Sequence, residues 1–366
     1  MSSTDPSASV ARASALTSRL SRQNLDALAA DLAACHVLDV GVQDAGPGTA
    51  EAALALRVAG GASAVMDALG TGDLVEVLSL RGAPHLHRRA DVNTLQAALV
   101  PASLGDLEAT TGPLPRAVRE RNDPVADVAC ALDEAMAEHD SMSKSELSTA
   151  TTPLLDAELA PMCVPCGTHH AIDGLFRLAT LRAGLHLVPQ GRTQTFARLA
   201  GDGKTRFTVP ADEATSARRA LLEHATQVSW PVDTSQVAAW LGWQASTVRA
   251  ALADAPSAGG KPSENARSAR LLPARDAWLR GSDRSWLLGG QVSRRNEVFR
   301  SLGAPGVVLL GGEIVGTWRQ RTAGSRTLRV EVDAWTRLTR VQRDELEQDA
   351  AIAAATRDRR PDVRWT

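Results

Sequence analysis

The chain has 366 residues, 44% apolar and 22% charged, with a net charge of −2. That length exceeds one small core and predicts two or three domains, and the composition excludes a disordered scaffold. A near-neutral total also excludes attraction to nucleic acid through overall charge, so any such contact must come from local patches.

The patches are made of arginine. Lys144, Lys204 and Lys261 are the only lysines, and the planar guanidinium is the better fork for phosphate and base edges. No window approaches 18 uninterrupted apolar residues, and the N-terminus MSSTDPSASVARAS lacks a secretory apolar core, which predicts a cytoplasmic protein with no membrane segment. Four cysteines in so long a chain are no disulfide framework.

Residues 1–15 read as a disordered tail. A first winged helix is predicted over 16–112: SRLSRQNLDALA and AACHVLDVGVQ as helices, AEAALALRVAG as a third, and LVEVLSLRGAPHLHRR as strand, turn and strand. Val75, Val77 and Leu80 are apolar in that hairpin, whereas Arg81, His85, His87, Arg88 and Arg89 carry no acid among them. The asymmetry predicts a wing whose tip faces phosphate. Residues 101–115 read as a linker.

A second winged helix is predicted over 113–212. Ser143 and Glu146 have capping-box spacing before a short helix, CGTHHAIDGLFRLATL supplies the next helix, and GLHLVP and TQTFARL form a hairpin. The third covers 213–336. In VDTSQVAAWLGWQASTVRAALADA, Val237, Trp240 and Leu241 recur at helical spacing, as do Val248, Ala251 and Leu252, with Asp233 as the cap and Gly242 as the stop. A linker over 254–268 separates this pair from three strands in GVVLLGGEIVGTWRQRTAGSRTLRVEV, where Arg319, Arg321, Arg326 and Arg329 gather at the second turn. Residues 337–366 are predicted as a helix and a tail. The fold class is therefore α+β, with three tandem winged-helix units.

Two stretches carry candidate chemistry. In CVPCGTHH the two cysteines have knuckle spacing, but all four candidate ligands crowd into eight residues at one helix mouth, so the favoured reading is packing by Cys166 and one histidine, with no metal. His85 and His87 alternate on a strand and share a face, where they either meet DNA or lie in solvent. In VQDAGPGTAEAALALR, Gln43 and Asp44 sit before a Gly-Pro-Gly turn. From spacing alone Asp44 either caps the helix beginning near Thr49 or stabilises the Gly-Pro-Gly turn, and Gln43 bonds backbone.

The combined pattern VQDAGPGTAEAALALR, LSLRGAPHLHRRAD, CGTHHAIDGLFRLATLRAGL, VAAWLGWQASTVRAAL, GSDRSWLL and APGVVLLGGEIVGTWR resembles, in order and from about Leu16 to about Ala355, the AlkZ-like and YcaQ-like bacterial DNA glycosylases. The resemblance implies a C-shaped, basic, concave surface for damaged duplex DNA, a monomer, and hydrolysis of the N-glycosidic bond of alkylated or cross-linked purines without metal or cofactor. The family's signature is a polar, apolar, polar triplet where this chain has Gly41-Val42-Gln43. Gln43 matches the second polar position and Asp44 the acid that follows, whereas Gly41 departs from the first. The resemblance thus implies Gln43 and Asp44 as catalytic residues. It also implies Arg57, Arg81, His85, His87, Arg88, Arg89, Trp318, Arg319, Arg321 and Arg326 as DNA contacts. Where the departure at Gly41 abolishes catalysis, the alternative is a winged-helix DNA-binding protein without hydrolysis, a lesion sensor or a regulator.

Overall fold

A computed structural model describes residues 6–190, 193–199, 205–252 and 268–366. The chain mixes helices and sheets and divides into two compact units: residues 1–71, 223–237 and 254–366 form one, and residues 72–222 and 238–253 the other. These units cut across the sequential boundaries expected at 112, 212 and 336.

The first unit is built on a five-stranded sheet ordered Arg360–Trp365, Thr327–Ala334, Glu313–Ala323, Gly306–Leu310, Ala269–Leu272. The pairs are antiparallel except the last strand of the chain, which runs parallel to Thr327–Ala334. Period-two alternation buries Trp318, Leu328, Val330 and Val332 on one face, where Leu346, Ala350 and Ala354 of the helix Arg340–Ala355 cover them. The helix starts in a capping box between Thr339 and Gln342. The expected tail after it is therefore a strand, because Val363 and Trp365 continue the same apolar alternation against that helix.

The N-terminal segment likewise departs from a disordered tail, being helical over Pro6–Arg22. Its buried stripe explains this: Leu16 and Leu20 join Trp278, Leu272 and Leu309 in one core, and Arg12 grips Glu313 with two hydrogen bonds of 2.7 Å. AACHVLDVGVQ is not the expected helix. It forms a short 3₁₀ turn, His36–Asp39, and a two-residue strand, Val42–Gln43, because Gly41 takes a φ of +98° between them. The helices Thr49–Ala55 and Gly61–Thr71 follow.

Arg57, implied as a phosphate contact, is instead wholly buried, which corrects that expectation. Its Nη2 and Nη1 donate to the two oxygens of Asp276 at 2.6 and 3.0 Å, and it also reaches the carbonyl oxygens of Gln23 and Ala53. A second buried pair, Arg270 with Asp349, lies at 3.2 Å, and Arg270 also donates to the carbonyl of Leu25 at 2.6 Å.

The second unit has strands in the order Pro84–Arg88, Leu74–Leu78, Leu185–Gln190, Thr193–Arg198, Ser141–Ser143. The two hairpins expected as separate wings share this sheet, joined where Glu76 pairs with Leu187. The capping box at Ser143 and Glu146 is formed, starting the helix Lys144–Thr151. Phe176 on the helix Asp173–Arg182 meets Phe196 edge-on at 6.1 Å in the core. Residues 101–115 are no linker: Ser103 caps a helix, Leu104–Thr111, whose Leu107 enters that core. Asp233 caps the helix Thr234–Leu241 through Gln236, and Gly242 at φ +77° separates it from Ala245–Leu252. The linker expected over 254–268 lies, apart from Ser268, outside the described residues.

Asp276→Asn leaves a buried guanidinium without its counter-charge, for which the expected cost is roughly 3–5 kcal/mol. Thermal unfolding should show a large drop in Tm, and Arg57→Met added to the same chain should recover part of it. A neutral response to Asp276→Asn would contradict the assignment.

Candidate active site and nucleic-acid interface

Gln43 is half-buried, with part of its surface open. Its Oε1 accepts a hydrogen bond of 2.6 Å from Nη2 of Arg280, a residue four positions beyond Asp276. The guanidinium fixes which way the amide faces, with its carbonyl oxygen turned toward Arg280.

Asp44 is the helix cap, one of the two roles that spacing allows. Its Oδ1 accepts from the Thr49 backbone at 3.2 Å, the Thr49 hydroxyl at 2.7 Å and the Ala50 backbone at 3.4 Å, anchoring the helix Thr49–Ala55. All three bonds fall on one oxygen, and Oδ2 accepts none of them. One turn into that helix, Glu51 extends the site. Burial holds its carboxyl above the ordinary glutamate range, Asp44 adds to the rise, and Arg357 partly offsets it. Glu51 Oε2 and Arg357 Nε are both buried without a hydrogen-bond partner among the described residues.

The Gly-Pro-Gly turn has a local cause. Gly48 has a φ of +74°, and a Cβ there would stand 2.3 Å from Arg357 Nε, so the turn is open for a side chain of this chain to lie across it. The Asp39 carboxylate, just before the strand Val42–Gln43, lies 3.7 Å from His224 Nδ1 and 3.9 Å from His36 Nδ1.

The expected wing contacts of the second unit are mostly corrected by burial. His85 and His87 do share a face, but it faces inward. His85 Nδ1 donates to the Ala83 carbonyl at 2.9 Å, and His87 Nε2 pairs with the Ser79 hydroxyl at 2.9 Å. Burial, with Arg88 adding to it, pushes the His87 imidazole down to about 3. Arg81, half-buried at the hairpin tip, packs against Gly242, where an added Cβ would stand 3.0 Å from Arg81 Cγ. Arg88 pairs with Asp91 at 3.0 Å, and Arg89 Nε donates to the Gly72 carbonyl at 2.5 Å. The tip is closed because Gly82, lacking a side chain, lets Arg177 of the helix Asp173–Arg182 lie over it. In CVPCGTHH, Cys166 is exposed rather than packed under the helix, and His169 is exposed too.

Trp318 is corrected as well: it is 3% exposed, and its indole N–H donates to the Leu272 carbonyl at 2.7 Å. The arginines beside it fare differently. Thr317, Arg319 and Arg321 alternate onto the opposite face, buried at Thr317 and opening to solvent by Arg321, where register sets Arg321 against Arg329 and Arg319 against Glu331. The last strand adds Arg360 and Arg364 to that face, opposite Thr327 and Glu331. Glu331, Asp333 and Asp362 dilute the charge, with Asp362 2.9 Å from Arg364 and 3.3 Å from Arg329. Arg321 remains 69% exposed in its side chain, 3.6 Å from Glu331. Arg326 at the turn is exposed, and Arg319 joins Arg294, Arg300 and Glu297 in lining a groove.

Arg280, Glu51, Arg357, Arg360 and Arg364 were not singled out from sequence. Only the arginine density of RDRRPDVRW offered a signal for the last two.

The fold defines an α+β protein. Over 97% of its length the chain superimposes on 99% of the Streptomyces sahachiroi DNA glycosylase AlkZ, with a TM-score of 0.67 at 19% identity. Residues 37–356 match the family described as DNA glycosylase AlkZ-like, and the chain belongs to that family. No curated protein matches it by sequence. No described helix is long and apolar enough to cross a membrane.

The buried histidine generates a pH prediction. Because the folded-state pKa of His87 is depressed, its neutral form contributes stability above the unfolded value near 6.5, and that contribution is lost as pH falls toward about 3. Unfolding scans between pH 7 and 4 should show Tm falling, with a shallower fall in His87→Gln. Equal slopes would place the acid sensitivity elsewhere.

Proposed function

We propose that the protein is a DNA glycosylase that hydrolyses the N-glycosidic bond of alkylated purines, including bulky ones, in duplex DNA, with Gln43 as the residue that positions water. The single observation that carries this reading is the half-buried Gln43 amide held by Arg280 at 2.6 Å, at the position that the sequence resemblance implies for the second polar residue of the signature.

In the proposed reaction a water oxygen bonds to C1′ as the bond from C1′ to the purine nitrogen breaks. The bond's electron pair passes to the purine and neutralises the positive charge that alkylation placed on it, so no strong acid is needed at the base. Gln43 Oε1 accepts a hydrogen bond from one O–H of the water, which stays bonded and becomes the C1′ hydroxyl, while Asp44 Oδ2 takes the other proton, passes it to solvent, and offsets positive charge on the sugar. Arg280 is a positioning residue: it keeps the amide oxygen, rather than its NH₂, turned to the water. Helix, turn, helix and hairpin modules hold the duplex, and the arginine-bearing sheet face from Arg319 to Arg364 supplies phosphate contacts.

A second reading, DNA binding without hydrolysis, is favoured by one observation: Gly41 stands where the family carries its first polar residue, and it serves as a backbone hinge at φ +98°.

Incubation with duplex DNA containing N7-alkylguanine should release free base and leave abasic sites. Gln43→Ala should slow this by about 10²-fold or more with DNA binding retained, and Arg280→Ala should slow it less. Binding without base release across small and bulky adducts would leave the second reading. Arg321→Ala should lower the slope of log K against log salt by about one unit, and an unchanged slope would remove this sheet face from the interface.

A further inference from the structure

The segment Met162–His170 lies outside the reading just given. It is a tight hairpin in which Met162–Cys163 pairs antiparallel with Thr168–His169, and Cys163↔Thr168 is the inner pair. Gly167 closes the turn at φ +65°, its N–H donating to the Cys163 carbonyl at 2.8 Å. A residue with a Cβ would be strained there, so the turn that returns the chain after Cys166 depends on glycine.

The turn brings three soft and borderline donors together: the ligand atoms of Cys163, Cys166 and His170 all lie within 4.8 Å of one another. A tetrahedral zinc with bonds of about 2.3 Å to sulfur and about 2.0 Å to nitrogen has ligand-to-ligand edges of roughly 3.5–3.8 Å, so closure asks for a contraction of about 1 Å.

Two further features prepare the donors. His170 Nδ1 donates to the Ala171 carbonyl at 2.7 Å, which fixes the tautomer and leaves Nε2 as the ligand nitrogen, the usual outer support of a metal-bound imidazole. The Cys163 sulfur accepts the Cys166 backbone N–H, which orients it toward the turn. His169 is held away, its Nδ1 on the Ala160 carbonyl at 3.0 Å. The crowding that argued against metal in the sequence is thus resolved by the hairpin: three of the four candidates converge and the fourth turns out.

We propose that Cys163, Cys166 and His170 form a binding site for one Zn²⁺ ion, with water in the fourth position, since the site lies at the surface and Cys166 is exposed. Two thiolates and an imidazole select a borderline-soft divalent cation over magnesium or calcium. The ion would cross-link the hairpin to the residue three positions before the helix Asp173–Arg182, and so fix the entry to that helix. This site is independent of the glycosylase reading and survives its failure.

The test is a titration of the reduced full chain with Co²⁺, read by the thiolate-to-cobalt charge-transfer band and by the intense d–d bands of four-coordinate cobalt. The expected result is one equivalent bound, displaced by one equivalent of Zn²⁺. Cys163→Ser and Cys166→Ser should each lose most of the charge-transfer band, and His170→Ala should weaken binding at least tenfold. His169→Ala should bind as the natural chain does. Three outcomes overturn the proposal: no charge-transfer band at micromolar cobalt, equal loss in His169→Ala and His170→Ala, or freshly purified chain carrying Cys163 and Cys166 as a disulfide.

Discussion

The bidentate pair between Arg57 and Asp276 is the constraint on which the candidate site depends. Both side chains are fully buried, so neither charge is tolerable without the other, and the fork geometry leaves little freedom in how the two backbones meet. Asp276 also accepts the Trp278 N–H at 2.9 Å, which fixes the short turn that ends at Arg280. Arg57 follows the helix Thr49–Ala55, whose first turn is tied to Asp44. One end of the pair thus holds the backbone carrying Gln43 and Asp44, and the other holds the backbone carrying the guanidinium that orients Gln43. More than 200 residues separate the two in sequence, and this contact makes them one site.

That separation explains what was legible from sequence and what was not. Signals contained within a few residues read through to the structure: the capping box at Ser143 and Glu146, the Asp233 cap, the Gly242 stop, and the cap formed by Asp44. Arg57 read as surface because a charged residue after an alanine-rich helix usually is surface, and nothing local announces a carboxylate 219 positions away. Arg280 and Arg357 were invisible for the same reason. The last strand was missed because parallel pairing with Thr327–Ala334 is long-range, and RPDVRW alternates too briefly to stand out against a helix followed by a tail.

The hairpin from Leu74 to Arg88 marks a different limit. Alternation placed His85 and His87 on one face, and they are on one face. It could not say that both faces are buried, with Leu86 as enclosed as the histidines that flank it, because two histidines around a leucine carry no hydrophobic signature. Polar partners within a few residues, the Ala83 carbonyl and the Ser79 hydroxyl, each bond one nitrogen of the inward imidazoles, and the cost of keeping His87 neutral appears as a depressed pKa rather than as exposure. On the sheet from Arg319 to Arg364 the opposite holds. There the apolar partners of the alternation are Trp318, Val330 and Val332, strong enough to fix the buried face, so the arginines between them are left in solvent.

The charges around Gln43 bear on how little acid–base machinery the proposed chemistry needs. Arg280 places a full positive charge on the amide oxygen, which by itself would weaken that oxygen as a proton acceptor. Asp44 supplies the compensating negative charge next along the chain, with one oxygen committed to the helix and the other not. Burial raises the Glu51 carboxyl above the ordinary glutamate range, Asp44 adds to the rise, and Arg357 partly opposes it. A cationic purine approaching this cluster would find modest net charge and a single oriented amide. That environment suits a leaving group already activated by alkylation, because the base departs neutral and the demand falls on the water and the sugar. An unmodified purine needs protonation before it can leave, and the proposed roles of Gln43, Asp44 and Arg280 include no acid placed at the base. On the proposed reading, selectivity for damaged bases therefore arises from what the site withholds as much as from what it provides.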